Sequence, residues 1–308
     1  MIQPCSILAP VKITSAMIVS STVPETDYPV YAPTKGYILG ERCISTTTHR
    51  IYESVSPSAN AGHDPTDLIN QFGAVPWWVD QGPTNLWALF DYYESTSCSS
   101  ASPLSIRLRV GPFNSIALFG LDGDQLDITV WDFPGGAVIY TYSDDLEDSA
   151  PPDYYEWCFD RFVPQTEFIV TGLDAYHDAE ILITVTKTTG LAKCSRIALC
   201  DMRPVGLAEY GAKVTPTTFS YIDTDKFGRT KIELGPNTTN MSLTAQLGIA
   251  EAASVYAMLK AHQDIPCVYI ATDLTDYSPL RAFGLGTPTL TFNSPVLCTV
   301  TLDVKGFT

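Results

Sequence analysis

The stretch LSIRLRV, residues 104–110, decides the fold. Apolar Leu104, Ile106, Leu108 and Val110 alternate strictly with Ser105, Arg107 and Arg109. A period of two is the pattern of a strand with one buried face. Further strands are expected over 115–121, 125–131, 137–142, 167–172, 179–187 and 195–199, with Asp122-Gly123 and Pro134-Gly135-Gly136 as turns. Six to eight strands with turn signals every ten or so residues predict a β-sandwich over residues 93–205.

Working outward, residues 31–92 form a different unit, dense in aromatic and turn residues. Gly36-Tyr37 leads into a short strand, His49 to Val55 alternates, and Thr46-Thr47-Thr48 joins the two as a hairpin. Residues 56–67 are turn-rich, Trp77-Trp78-Val79-Asp80 reads as a third strand, and Gly82-Pro83-Thr84-Asn85 as a turn. A three-stranded sheet this small has little core, and large rings supply much burial per residue. Trp77, Trp78 and Trp87, with Tyr52, are therefore either core or a platform on which a sugar ring stacks.

Residues 206–308 read as an α+β domain. Strands over 208–219 and 230–234 flank Asp223 to Gly228 as a hairpin, and 268–270 and 296–304 are further strands. IAEAASVYAMLKAH (249–262) is the confident helix, with Ile249, Ala252, Ala253, Tyr256 and Leu259 spaced as one apolar face. Residues 1–30 read as an extended arm, or one or two strands over 7–23, running into a Pro-rich linker; such an arm lies either on a neighbouring subunit or on its own domain. The fold class expected is mainly β: a small aromatic-rich module, a sandwich and a C-terminal sheet carrying one helix.

The 308 residues carry 34 Asp and Glu against 18 Lys and Arg, a formal charge of −16. Residues 1–205 hold 25 acids and 11 bases, or −14; residues 206–308 hold 9 and 7, or −2. Nucleic acid and anionic membranes are repelled by such a surface. The near-neutral C-terminal part packs against copies of itself with less repulsion. No apolar run approaches the ~20 residues that cross a bilayer, and Met1-Ile2-Gln3-Pro4 lacks the basic start of a signal peptide, so synthesis in a cytoplasm is expected.

Eight cysteines (5, 43, 98, 158, 194, 200, 267 and 298) show no CxxC spacing, and free buried thiols are expected. Cys194 and Cys200 are read as two positions on one strand, sharing a face. No metal or cofactor site is assigned. Asp122, Asp124 and Asp127 in LDGDQLD offer carboxylates to a cation but equally suit a solvated turn. Asp153 to Trp157 sets acids beside aromatics, as in glycosidase clefts, without fixing a pair of carboxylates across a sugar. His49, His63, His177 and His262 are scattered, and no nucleophile elbow, phosphate loop or zinc motif occurs. No catalytic residue is assigned, and no enzyme is expected.

The Gly-Tyr before a strand, IYES (51–54), the Asp64-Pro65 loop and the closing Trp resemble small chitin- and cellulose-binding modules of secreted bacterial enzymes. The sandwich resembles a jelly roll of the galactose-binding type. A wider resemblance spans nearly the whole chain. IVSSTVPETDYP (18–29), THRIYESV (48–55), GPTNLWALFD (82–91), EYGAKVTPTTFSYIDTDKFGRTKIELG (209–235), IPCVYIATD (265–273) and CTVTLDVKGFT (298–308) are similar, in this order, to a family of bacteriophage tail-tip and baseplate proteins. GPNTTNMSLTAQLG (235–248) departs from it. The resemblance implies a structural virion protein of the phage tail, joining the tail to peripheral or receptor-binding parts through ring-forming contacts between copies and with other phage tail proteins. A carbohydrate-binding adhesin recognising host surface glycan is the alternative. The resemblance places the C-terminal domain in the ring and residues 31–200 outward.

Overall fold

The computed structural model describes residues 3–92, 96–147, 154–159, 164–224, 226–235, 237–272, 274, 277 and 279–307. The architecture is mainly β, with one substantial helix, Ile249–Ala261. Short helices lie at Leu68–Phe72 and Tyr154–Phe159.

The sandwich forms where the alternation places it. Val138–Asp145, Gln125–Trp131, Glu180–Thr186, Leu104–Arg109 and Ile18–Ser21 are neighbours, in that order, in one antiparallel sheet. Ile183 sits opposite Ile106 on one side and Ile128 on the other, and all three are buried. The opposing layer consists of Glu167–Val170, Ser115–Phe119 and the first half of Arg196–Ala208. Ile116, Leu118, Ile197 and Leu199 meet the isoleucines of the five-stranded sheet in one core. Five strands over three is the layering of the jelly-roll reading. On the face of the five-stranded sheet away from the core, the Glu180 carboxylate is 3% exposed and takes two bonds from Arg107, from Nε at 2.7 Å and Nη2 at 2.9 Å. A carboxylate this dry is tolerated because a planar guanidinium fills both its oxygens.

The strand Arg196–Ala208 does not stop at the sandwich. It continues across residue 205, so the expected boundary there lies inside one strand. Its second half pairs with Gln3–Pro10, which pairs in turn with Cys267–Ile270. Residues 3–10 are thus an inner strand of the C-terminal fold, not an arm. Cys5, Ile7 and Leu8 are fully buried, but the apolar run Ile7-Leu8-Ala9-Pro10 is too short to have announced burial on both faces. Ile18–Ser21 likewise joins the sandwich as its edge strand, leaving residues 1–30 no independent unit.

From Cys267–Ile270 the sheet runs through Arg281–Phe292 and Leu297–Gly306 to Asn237–Gly248. Leu207 and Ala208 then pair with Gln246 and Ala245, and the ring of six strands closes. Met241, Leu243, Ala245, Leu247, Val300, Leu302 and Tyr269 fill its core. Closure removes two sheet edges that would otherwise need cover.

The helix Ile249–Ala261 places Ala252 and Leu259 in that core, flanked by Val255 and Met258. Its buried face is rotated from the one expected: Ile249, Ala253 and Tyr256 are exposed, along a groove with Pro288, Leu290 and Phe292. Repeats of three and four offered two adjoining faces, and packing on the sheet chose the one with Val255 and Met258.

The small module is a three-stranded antiparallel sheet, Arg42–Ser45, Arg50–Ser54 and Trp78–Pro83. The hairpin between the first two turns at residues 46–49, with His49 at φ 57°. Gly82-Pro83, expected as a turn, ends the third strand. A register shift at Ile51/Tyr52 lets Gly82, at φ 112°, oppose Ile51, the position a glycine holds at a β-bulge.

Candidate functional site

The four aromatic residues expected to form either core or platform separate into two groups. Trp78 is 0% exposed and Tyr52 is 2% exposed. Together with Tyr37 and Cys43 they are the core of the module. The Trp78 indole packs edge-on to Tyr37 at 5.0 Å, and its Nε1 donates to the His63 carbonyl at 2.8 Å. The Tyr52 hydroxyl lies 3.0 Å from Thr48 Oγ1. Neither ring offers a face to a sugar, which corrects their candidacy: in a module this small, large rings supply most of the surface that excludes water.

Trp77 and Trp87 are half-buried. Each has one face covered by an imidazole, Trp77 by His63 at 3.8 Å and Trp87 by His49 at 3.9 Å. Trp87 also packs against the sandwich core and edge-on to Phe90. His49 is held on both sides, by Glu25 Oε1 at 2.9 Å from Nδ1 and by Ser15 Oγ at 2.9 Å from Nε2. This pins Trp87 at the junction of module and sandwich. The four rings do not converge on one surface. The stacking histidines carry no sequence signal, because His63 is 14 residues from Trp77 and His49 is 38 from Trp87.

The three carboxylates of LDGDQLD do not converge either. Asp122 pairs with Lys187 and, at 3.9 Å, with Lys193. Asp124 Oδ2 accepts the Thr188 N–H at 2.6 Å, and hydrogen bonding from the Thr188 side chain and then from its backbone holds the Asp124 pKa below the usual carboxylate range. Asp127 Oδ1 accepts from Ser143 Oγ at 2.5 Å. Each acid has its own protein partner. No group of three His, Cys, Asp or Glu poised for a metal occurs among the described residues. Of the acid-aromatic run 153–157, Asp153 and the side chains of Glu156 and Trp157 lie outside the described residues.

Seven cysteines are buried and Cys158 is exposed; none is in a disulfide. Burial pushes the Cys43, Cys98, Cys194 and Cys267 thiols up to about 12. Such thiols are poor nucleophiles and metal ligands at neutral pH. Cys194 and Cys200 lie on separate strands and serve different cores; Ser195 separates the two strands, a break that the run's composition did not signal.

The largest departure from an ordinary buried fold is in the C-terminal domain. Lys213–Thr218 pairs with residues 237–242, and the chain then continues outward as a second ladder, Tyr221–Thr224 against Thr230–Glu233. All eight residues of this outer ladder are exposed. Ile222 (64% exposed) and Ile232 (59%) are direct partners in it, and Tyr221 and Leu234 add further apolar surface. The strand near 230–234 was legible in the sequence, but its partner is Tyr221–Thr224 and not 208–219, and its projection beyond the barrel was not foreseen. Consecutive apolar Tyr221-Ile222 were the available signal, since a strand with one buried face would alternate.

No helix among the described residues is long and apolar enough to cross a membrane. Comparison with family models, curated proteins and solved structures returned no match.

Proposed function

We propose that this protein is a structural component of a bacteriophage tail tip or baseplate that assembles with copies of itself into a ring and joins the tail to peripheral parts. The observation that carries the reading is the projecting hairpin of residues 219–235. An isolated two-stranded hairpin is marginal in water. This one exposes Ile222, Ile232, Tyr221 and Leu234, which have no covering layer among the described residues of their own chain. A neighbouring copy would cover them. The strand Lys213–Thr218 ends the nine-stranded sheet, and an open edge beside an apolar arm is a geometry that pairing with a neighbour satisfies. The near-neutral charge of residues 206–308, against −14 for the rest, lowers the cost of bringing copies together on that side. The alternative, a glycan-binding adhesin, loses Trp78 and Tyr52 as platform residues.

Sedimentation velocity and electron microscopy of the full chain test the self-assembly. The expected result is a discrete symmetric oligomer with the C-terminal barrels in contact. A monomer at every concentration up to about 100 μM would sink it. Density for the protein at the tail end of a phage particle tests the virion assignment separately.

A further inference from the structure

A cleft of about 170 Å³ lies where the sandwich meets the barrel. Its polar lining comes from both: Glu167 on the outer strand of the three-stranded layer, and Asn237, Thr239 and Arg281 from the barrel. The rings of Phe283 and Phe307, 6.0 Å apart and inclined at 67°, complete the wall. Two features distinguish it from the other grooves. Arg281 Nε is buried and has no hydrogen-bond partner among the described residues. A donor withdrawn from water with no acceptor is destabilising, and a bound oxygen would relieve it. Glu167, exposed at the rim of the cleft, supplies a carboxyl within electrostatic reach of Arg281. The two are close enough to feel each other, yet no ion pair joins them among the described residues.

We propose that this cleft binds one neutral sugar residue. One guanidinium and one carboxylate leave the site without net charge, which disfavours a simple anion or cation. Planar Arg, Glu and Asn side chains each reach adjacent hydroxyls as donors and acceptors. The half-buried Phe307 ring suits the C–H face of a pyranose, whereas a small zwitterion has no apolar face to place on it. This site is separate from the aromatic module and independent of the self-assembly reading: a chain that stays monomeric can still bind, and a ring can form without it.

The test is ligand-observed NMR and calorimetry on the full chain with glucose, galactose and N-acetylglucosamine in turn, and with L-glutamine as a zwitterion. At least one sugar is expected to bind at millimolar Kd or tighter. Arg281→Gln and Glu167→Gln are each expected to weaken it about tenfold or more. Asn237→Ala, at the exposed rim, is expected to weaken it while leaving the melting temperature unchanged, so a folding failure in the other two does not decide the matter. Trp77→Ala is expected to leave binding as it was. No sugar bound at about 50 mM, binding of glutamine alone, or sugar binding indifferent to the Asn237 change would each overturn the proposal.

Discussion

Gly206 runs so close to the Gln246 carbonyl that a β-carbon at residue 206 would lie 2.6 Å from that oxygen. The next residue, Leu207, pairs with Gln246, and with Ala208 and Ala245 this is the seam that closes the six-stranded barrel. The obstacle is backbone, which cannot swing aside as a flexible side chain can. Gly206→Ala is therefore expected to cost about 1–3 kcal/mol, the usual penalty of overpacking. Urea unfolding checks it, and hydrogen exchange would locate the loss at 206–208 and 245–246. Unchanged stability would mean that the seam is looser than its geometry.

The two adjacent tryptophans are expected to behave differently. Trp78→Ala removes the central ring of the module and should cost about 3–5 kcal/mol, read as loss of the module's melting transition. Trp77→Ala removes a half-buried ring and its stack on His63 and should cost clearly less. Equal losses would contradict the division into core and rim.

Thiol accessibility gives a third check. In the native protein, Cys158 should react rapidly with a disulfide reagent while the seven buried thiols wait on unfolding. The same burial fixes a pH dependence. Cys43, Cys98, Cys194 and Cys267 titrate near 9 when unfolded and about 12 when folded. The unfolded chain thus releases protons first as pH rises. Their contribution to stability is complete below about pH 9 and is lost between about 9 and 12. A denaturation midpoint that holds steady across that window would show that these thiols are not buried as described.

The hairpin provides a prediction on association. Ile222→Ser with Ile232→Ser alters two exposed partners and should leave the monomer's stability within about 0.5 kcal/mol, as for surface changes generally. The same pair should shift the sedimentation profile towards monomer. Loss of stability without a change in association would assign these residues to the fold instead of to an interface.

How much was legible follows from how local each cause is. The sandwich strand 125–131 falls on the residues expected, because alternation of Leu126, Ile128 and Val130 is itself the burial pattern. The small sheet and the helix were likewise read from contiguous residues. Strand 3–10 was not, since its burial depends on partners near residues 200 and 268. The candidate residues show the same limit. Rings were visible as rings, but whether Trp78 faced inward and Trp77 sat beneath a histidine depended on neighbours brought in by the loop 56–67.

By itself, then, the sequence determined most of the sandwich strands, the one long helix and the charge asymmetry, because period and ionisation are properties of neighbours along the chain; the long strands Asn237–Gly248 and Arg281–Phe292 were not read from it. Only the tertiary structure decided that the first strand closes the last domain, which face of the helix is buried, and that Glu167 and Arg281, 114 positions apart, share a cleft. Those outcomes turn on which surfaces exclude water from each other, and that selection is made among distant segments at once.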